Sequence, residues 1–380
     1  MERIRALDVT EDALHVAWHD DVPESRFPWF WLRDHGHEEA SLHPVTLQRQ
    51  IFTAAIPDDV RGTGASLAPD GQSVVVAWQD GGESHFPLAF LWQFRDPRPA
   101  ATPSPSPIVL WDADIAAQPP RVPYDAIMAD DHGLERWLEV VEIYGFCLAE
   151  GVPATPEDTV ALARRIGYLR TTIFGDFWDF TADLAKADTA YTHLELRPHT
   201  DATYAFDAPG LQLFHCLHFT GSGGDSILVD GFRIADELRA ADAEAYETLA
   251  NVEVTGQYIG DGAHLIATRP VFRHDKGRLV QVTYNNYDRA PFRLPDAEMR
   301  AFYRALKAFE ALANDPRLQW RHPLRPGEVL LFDNWRVLHG RAAYHGERRL
   351  CGTYLNREDF ESRLRLLRQG PPAIAASRGG

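Results

Sequence analysis

Cysteine is scarce in this 380-residue chain: Cys147, Cys216 and Cys351 are all it has. Three thiols, odd in number and far apart, argue against a disulfide framework or a Cys-based zinc site, and they fit a reducing cytoplasm. Basic residues are also short, 38 against 55 acidic ones, for a net charge of −17. Nucleic acid is excluded as a partner, because its phosphates demand a basic footprint, and an anionic membrane surface is excluded on the same ground. Long apolar runs are missing, and none approaches the roughly 20 residues of a membrane span. The N-terminus, MERIRALDVTEDALHVAW, has acids and no apolar h-region, so neither a secretory signal nor a transit peptide is expected there. No internal repeat, Walker loop or GxGxxG motif stands out. What is present, 45% hydrophobic and 24% charged residues, is ordinary for a soluble globular protein of two domains or one large one.

Residues 1–95 read as a small β-rich unit. ALHVAWHD, SVVVAWQD and SHFPLAFLW are short strand-like runs broken by turn signals such as Asp70-Gly71 and Gly81-Gly82. DPRPAATPSPSP (96–107) continues neither a helix nor a central strand and reads as a linker. From 108 to 380 the pattern is mainly β with flanking helices. Apolar spacing predicts helices over His132–Phe146, Thr155–Ile166 (Thr155 as N-cap, Pro156 in the first turn), Ile234–Leu249 and Asp296–Ala313. GLQLFHCLHF, DSILVDGF, GRLVQVTYNN, GEVLLFDNWRVLHGRAAY and RRLCGTYLN read as strands, with Gly221–Asp225 a turn. Many short strands with few helices point to a β-sandwich or jelly roll, whose ligands would lie near strand ends.

His199 and Asp201 stand two residues apart at the end of DTAYTHLELRPHTD (Asp188–Asp201). In extended backbone they point the same way and can bind one face of a metal ion. His339, in DNWRVLHGR, supplies a second imidazole far along the chain. Two His and one carboxylate form a facial triad that suits non-haem Fe(II), since it leaves positions open for a co-substrate and O2. His-x-Asp arises by chance among 16 His and 55 acids, so its weight comes from the motifs around it.

Those motifs are DTAYT, HTD, HCL followed by GGDS and VDGF, TYNNYDRA, DNWRVLHGR and RRLCGTYLNRED. In this order, over nearly the whole chain and including WLRD (Trp31–Asp34), the sequence resembles the γ-butyrobetaine and trimethyllysine hydroxylases. These are iron and 2-oxoglutarate dioxygenases of the taurine dioxygenase superfamily. DTAYT, YNNYDRA and LCGTYL are closer to the trimethyllysine branch, and hydroxylases of 2-(trimethylammonio)ethylphosphonate belong to the same neighbourhood. The resemblance implies a double-stranded β-helix catalytic domain, iron held by His199, Asp201 and His339, and Arg348 pairing with the far carboxylate of 2-oxoglutarate. Strand alternation would send Arg348 and Arg349 to opposite faces. O2 and a small molecule are the other implied partners, and a homodimer is left open.

At the substrate end the resemblance puts an aromatic cage at Phe174, Trp178, Tyr191 and Tyr354. Trimethylammonium has no N–H to donate and is held by aromatic faces. Phe174 stands where the family usually has Tyr. At the opposite end Asp188 replaces an Asn and Ala202 a Tyr, while Asn286 is retained, with Arg289 and Arg293 just after it. The lost Tyr opens space and the arginines suit a doubly anionic ligand, which favours 2-(trimethylammonio)ethylphosphonate, hydroxylated at C1. Asp188 suits the α-ammonium of trimethyllysine instead. Trimethyllysine and γ-butyrobetaine are the alternative substrates, and the lack of a transit peptide argues against the mitochondrial trimethyllysine enzymes. A non-enzymatic quaternary-ammonium binder is the alternative of another class, disfavoured because a pure binder needs no iron site. Relatives carry a Cys-rich structural-zinc run after WLRD. Here it reads HGHEEASLHP, with Gly82 near the fourth-ligand position, so no structural zinc is expected, although His35, His37, His43 and His85 remain as metal-capable side chains.

Overall fold

The computed structural model describes residues 4–19, 22–97, 107–181, 194–260 and 262–370. The chain divides into two compact units between Pro105 and Ser106. None of its described helices is long and apolar enough to cross a membrane.

The first unit holds two antiparallel three-stranded sheets, Ile4–Val9, Ala13–Trp18, Ser25–Pro28 and Gly62–Leu67, Ser73–Trp78, Glu83–Pro87. Each runs straight into a short helix, Trp29–Asp34 and Leu88–Gln93. Two expectations need correction here. The run SHFPLAFLW is a strand only to Pro87, after which a fixed proline φ and good helix formers turn the chain into a helix. The unit is also an internal duplication. Val16-Ala17-Trp18 with Ser25-x-Phe27-Pro28 recurs as Val76-Ala77-Trp78 with Ser84-x-Phe86-Pro87. In each copy the Trp Nε1–H donates to the Ser hydroxyl, at 2.8 and 2.9 Å. Only short stretches are shared, so the repeat is hidden until the elements align. Both halves feed one core that includes Val16, Trp18, Phe27, Val76, Trp78 and Phe86.

The second unit has a six-stranded sheet, in order Arg121–Pro123, Phe146–Glu150, Glu328–Asp333, Leu211–Gly223, Tyr344–Leu355 and Trp178–Thr181. A four-stranded sheet runs Leu196–His199, Val337–Arg341, Ser226–Asp230 and Gln319–His322. Period-2 alternation sends one side of each long strand inward. Phe146, Leu148, Cys216, Leu330, Phe332 and Leu350 of the first sheet pack with Leu228, Trp320 and Val337 of the second. Each such side chain contributes about 1.5–3 kcal/mol by leaving water. The residues between them, such as Leu211, Leu213, Val329 and Leu331, meet helices Asp131–Tyr144, Pro156–Ile166 and Arg357–Gln369 on the outer face.

Local signals explain the helix limits. Asp130 caps the first by accepting from Gly133 N–H, and Gly145 ends it with a left-handed φ of 77°. Thr155 accepts from Asp158 N–H as the expected N-cap of the second. The single helix expected over Ile234–Leu249 is two, Gly231–Ala241 and Ala243–Asn251, because Asp242 stops one and caps the next through Ala245 N–H. Beneath the 333–337 turn lies a buried ion pair, Arg336 Nη2 to Asp230 Oδ2 at 2.7 Å, with Arg336 also donating to the Val109 and Ile143 carbonyls. Each nitrogen of that guanidinium donates, Nε to Asp230 Oδ1 among them, as a charge without water requires.

Candidate metal centre

His199 is the last residue of its strand, and antiparallel register places it directly opposite His339. Directly opposed side chains share a face, so the pairing alone brings the two rings to 4.4 Å between centroids. His339 Nδ1 is buried without a hydrogen-bond partner among the described residues, while His199 Nδ1 lies 2.8 Å from the Arg197 carbonyl, which leaves Nε2 as its free ligand atom.

Asp201 arrives differently from the expectation. The strand ends at His199, so it is not extended backbone that aligns His199 with Asp201. A bend does it. Asp201 N–H donates to Asn334 Oδ1 at 2.8 Å, and Asn334 Nδ2 donates to the Asp201 carbonyl at 3.2 Å and to the Pro209 carbonyl at 3.0 Å. The next residue, Ala202, takes a left-handed φ of 54°, a strained conformation for a side chain with Cβ. Asp201 Oδ1 then lies 3.3 Å from His199 Nε2 and 3.6 Å from His339 Nε2. The three ligand atoms sit within 4.8 Å of one another, the one such His/Cys/Asp/Glu cluster among the described residues.

The electrostatics fit a divalent cation. Burial pushes the His339 imidazole down to about 3, so it is a neutral ligand at ordinary pH. Burial alone would raise Asp201, but His339, His199 and the Tyr354 hydroxyl outweigh it and hold the carboxylate well below its usual range. Two imidazoles and one carboxylate on one face is the donor set that suits Fe(II) with open positions.

Arg348 is 7% exposed, while Arg349 points out and pairs with Asp179 at 2.5 Å, so the strand alternates as expected. No carboxylate pairs with Arg348 among the described residues. Burial, with Arg341 nearby, lowers its guanidinium to about 10. A buried guanidinium short of an anion fits the carboxylate of a 2-oxo acid.

Among the expected cage residues, Trp178 stacks on Tyr354 at 4.7 Å and 23°. Tyr354 donates its hydroxyl to Asp201 Oδ2 at 2.6 Å, a role that aromatic content alone did not suggest. Phe174 is half exposed and packs edge-on to Tyr258 at 5.5 Å, and Tyr258 packs on Tyr204 at 5.2 Å. Asp188 and Tyr191 lie outside the described residues. Arg289 donates to Asn286 Oδ1 at 3.1 Å and keeps Nη1 buried without a partner among the described residues, whereas Arg293 is exposed.

Sequence reasoning missed Asn334, Tyr258, Gln212 and Asp288. Asp288 sits within the quoted TYNNYDRA and accepts from Thr203 Oγ1 and Asn285 Nδ2, at 3.2 and 3.0 Å. Burial first, and Asp201 second, push its carboxyl up to about 7. Of the first unit's histidines, the four named above as metal-capable lie in separate settings. His35 Nδ1 faces the Trp31 carbonyl, His37 packs edge-on to Phe90, His43 accepts from the Val45 and Thr46 amides, and His85 is exposed.

Residues 102–354 match the family model described as taurine catabolism dioxygenase TauD, TfdA family. A trimethyllysine dioxygenase of Meyerozyma guilliermondii is 35% identical over 379 residues, covering 94% of each chain. The mitochondrial trimethyllysine dioxygenase of Homo sapiens is 36% identical, covering 90% of this chain and 83% of its own. A γ-butyrobetaine dioxygenase of a Pseudomonas species is 32% identical over 93% of each. The chain belongs to the TauD/TfdA dioxygenase family. It is an iron- and 2-oxoglutarate-dependent oxygenase, and the His–Asp–His cluster is consistent with its iron.

Proposed function

We propose that this protein hydroxylates a C–H bond in a small trimethylammonium compound. His199, Asp201 and His339 would hold Fe(II), and Arg348 the far carboxylate of 2-oxoglutarate. The bound metal and 2-oxo acid supply the oxidising power, O2 placing one oxygen atom in the substrate and the other in succinate as CO2 leaves. The protein's part is position and dryness. Buried His339 stays neutral, Arg348 forms a charge-assisted fork, and Trp178 and Tyr354 offer ring faces to a cation that has no N–H.

One observation carries this reading. The Trp178–Tyr354 stack ends on the metal carboxylate through the Tyr354 hydroxyl, so an aromatic wall adjoins the metal itself. The two packed sheets support a double-stranded β-helix, with the β-rich first 95 residues as a separate domain. The substrates in the relatives' names make trimethyllysine the first compound to test and γ-butyrobetaine the second. No comparison supports the phosphonate. It keeps a place on one observation, the buried Nη1 of Arg289 beside Asn286, which has no partner among the described residues and suits an anion with many oxygens.

The test is a panel of trimethyllysine, γ-butyrobetaine and 2-(trimethylammonio)ethylphosphonate with Fe(II), 2-oxoglutarate and O2, reading succinate and the mass of the product. Succinate formed in step with a product 16 mass units heavier supports the proposal. Succinate formation indifferent to all three compounds sinks it.

A further inference from the structure

Gln212 is 2% exposed, and its side-chain amide has no hydrogen-bond partner among the described residues; Oε1 is fully buried. Its place in the sheet is defined on both sides. In register it lies opposite Phe332 on one neighbouring strand and opposite Tyr354 on the other. Residues directly opposed across adjacent strands share a face. Both flanking side chains touch the metal cluster: the Phe332 ring is 4.9 Å from the His339 ring, and Tyr354 bonds Asp201. Phe214, two residues along on the same face, lies 6.0 Å from the His339 ring and 6.2 Å from Trp178. The middle member of the row Phe332–Gln212–Tyr354 therefore faces the metal centre, although no group among the described residues satisfies it there.

Which group would satisfy it can be narrowed by chemistry. Asp201 is already supplied, Oδ1 facing the imidazoles and Oδ2 taking the Tyr354 hydroxyl. A trimethylammonium head neither donates nor accepts. The inner face of the neighbouring strand runs Arg348, Leu350, Gly352, Tyr354, with no side chain at Gly352. A 2-oxo acid paired at one end to Arg348 presents its other, metal-binding carboxylate toward the Tyr354 end, where Gln212 is.

We propose that Gln212 is a contact residue for the 2-oxo acid, its amide N–H donating to the carboxylate that binds the metal. This rests on the reading of Arg348 and the triad given above. The test uses the full-length protein, loaded anaerobically with Fe(II) and titrated with 2-oxoglutarate, following the visible charge-transfer band. Gln212→Leu, which keeps the volume, should raise the 2-oxoglutarate Kd roughly tenfold or more and move the band, the loss of one charge-assisted hydrogen bond. Thermal midpoint and Mn(II) affinity should hold. Gln212→Glu, nearly the same shape, should weaken 2-oxoglutarate further by setting like charges together, and it keeps the test open if the leucine variant folds poorly. An unchanged Kd and band in both variants overturns the proposal. So does a matching loss of Mn(II) affinity, which would make Gln212 a support of the triad, or an effect confined to KM of the trimethylammonium substrate. A wild-type protein with no 2-oxoglutarate-dependent band would overturn the reading of the site itself, and this proposal with it.

Discussion

Tyr354 donates its hydroxyl to Asp201 Oδ2 at 2.6 Å while its ring lies flat against Trp178. One side chain thus serves the metal carboxylate with its polar end and the aromatic wall with its face. Each end can be removed separately. Tyr354→Phe keeps the ring and deletes the bond, leaving a half-buried carboxylate oxygen short of a donor. Metal affinity should fall roughly tenfold or more, the usual cost of losing a partner of a ligand, while the stack on Trp178 persists. Mn(II) titration reads this, and an affinity equal to wild type would remove Tyr354 from the support of Asp201.

Asn334 governs the backbone at the same residue. It takes the N–H and returns a bond to the carbonyl of Asp201, just before the strained Ala202. Asn334→Ala strips three hydrogen bonds from a side chain that is 1% exposed. Leaving such groups unsatisfied costs about 1–3 kcal/mol each. Urea unfolding should show a loss in that range or above, with metal affinity falling as the bend relaxes. Full stability with full metal affinity would show that the bend holds itself.

Much of this site could be read from residue order alone. His199, His339 and Arg348 depend on motif and strand alternation, and the structure brings the two imidazoles together. Asp201 converges for a reason no local pattern contains, since its clamp lies 133 residues away. Gln212 looks like any strand residue until register sets it between Phe332 and Tyr354. Helices capped by nearby side chains were readable, as Thr155 shows, but the break at Asp242 needed weighing a cap against an apolar pattern that runs on through it. The duplication in the first unit rests on three-dimensional equivalence of short strands, where shared identities are too few to announce themselves.

Arg348 and Arg349 make a controlled pair. Arg348→Gln removes the buried guanidinium and should weaken 2-oxoglutarate by about 10- to 100-fold, since a buried charge-assisted fork is worth roughly 1.5–3 kcal/mol. Arg349→Gln removes an exposed ion pair to Asp179 and should leave binding unchanged, because such pairs contribute about 0–1 kcal/mol to stability. Equal effects of the two substitutions on the 2-oxoglutarate Kd would contradict the inward assignment.

A fourth handle lies away from the metal. His215 is buried, 2.7 Å from Thr159 Oγ1, and burial lowers it to about 4. Its unfolded-state value is about 6.5, so between these limits the unfolded chain binds more protons than the folded one. Stability should therefore fall as pH drops from about 6.5 toward 4, and stay flat above that window for this group. Urea midpoints across the range should show a steeper decline for wild type than for His215→Gln. Parallel slopes would assign the acid sensitivity to other groups.

The two ends of the substrate respond to different substitutions, and together they identify it. Trp178→Ala removes a face of the cage and should weaken every trimethylammonium candidate, by about 1–2 kcal/mol for a desolvated cation. Arg289→Gln removes the guanidinium whose Nη1 has no partner among the described residues. It should hurt the phosphonate most, because a dianion depends more on a charge-assisted donor than a carboxylate does. Asp188→Asn works in the other direction. It should damage trimethyllysine, which would lose a carboxylate for its α-ammonium, and spare the phosphonate, for which one negative charge fewer is no loss. Kinetics of the three variants against the three compounds therefore give distinct patterns. Trimethyllysine as the best wild-type substrate, with turnover collapsing in Asp188→Asn and little changed in Arg289→Gln, would decide against the phosphonate. The reverse pattern would decide for it, and a Trp178→Ala variant indifferent to all three would remove the cage.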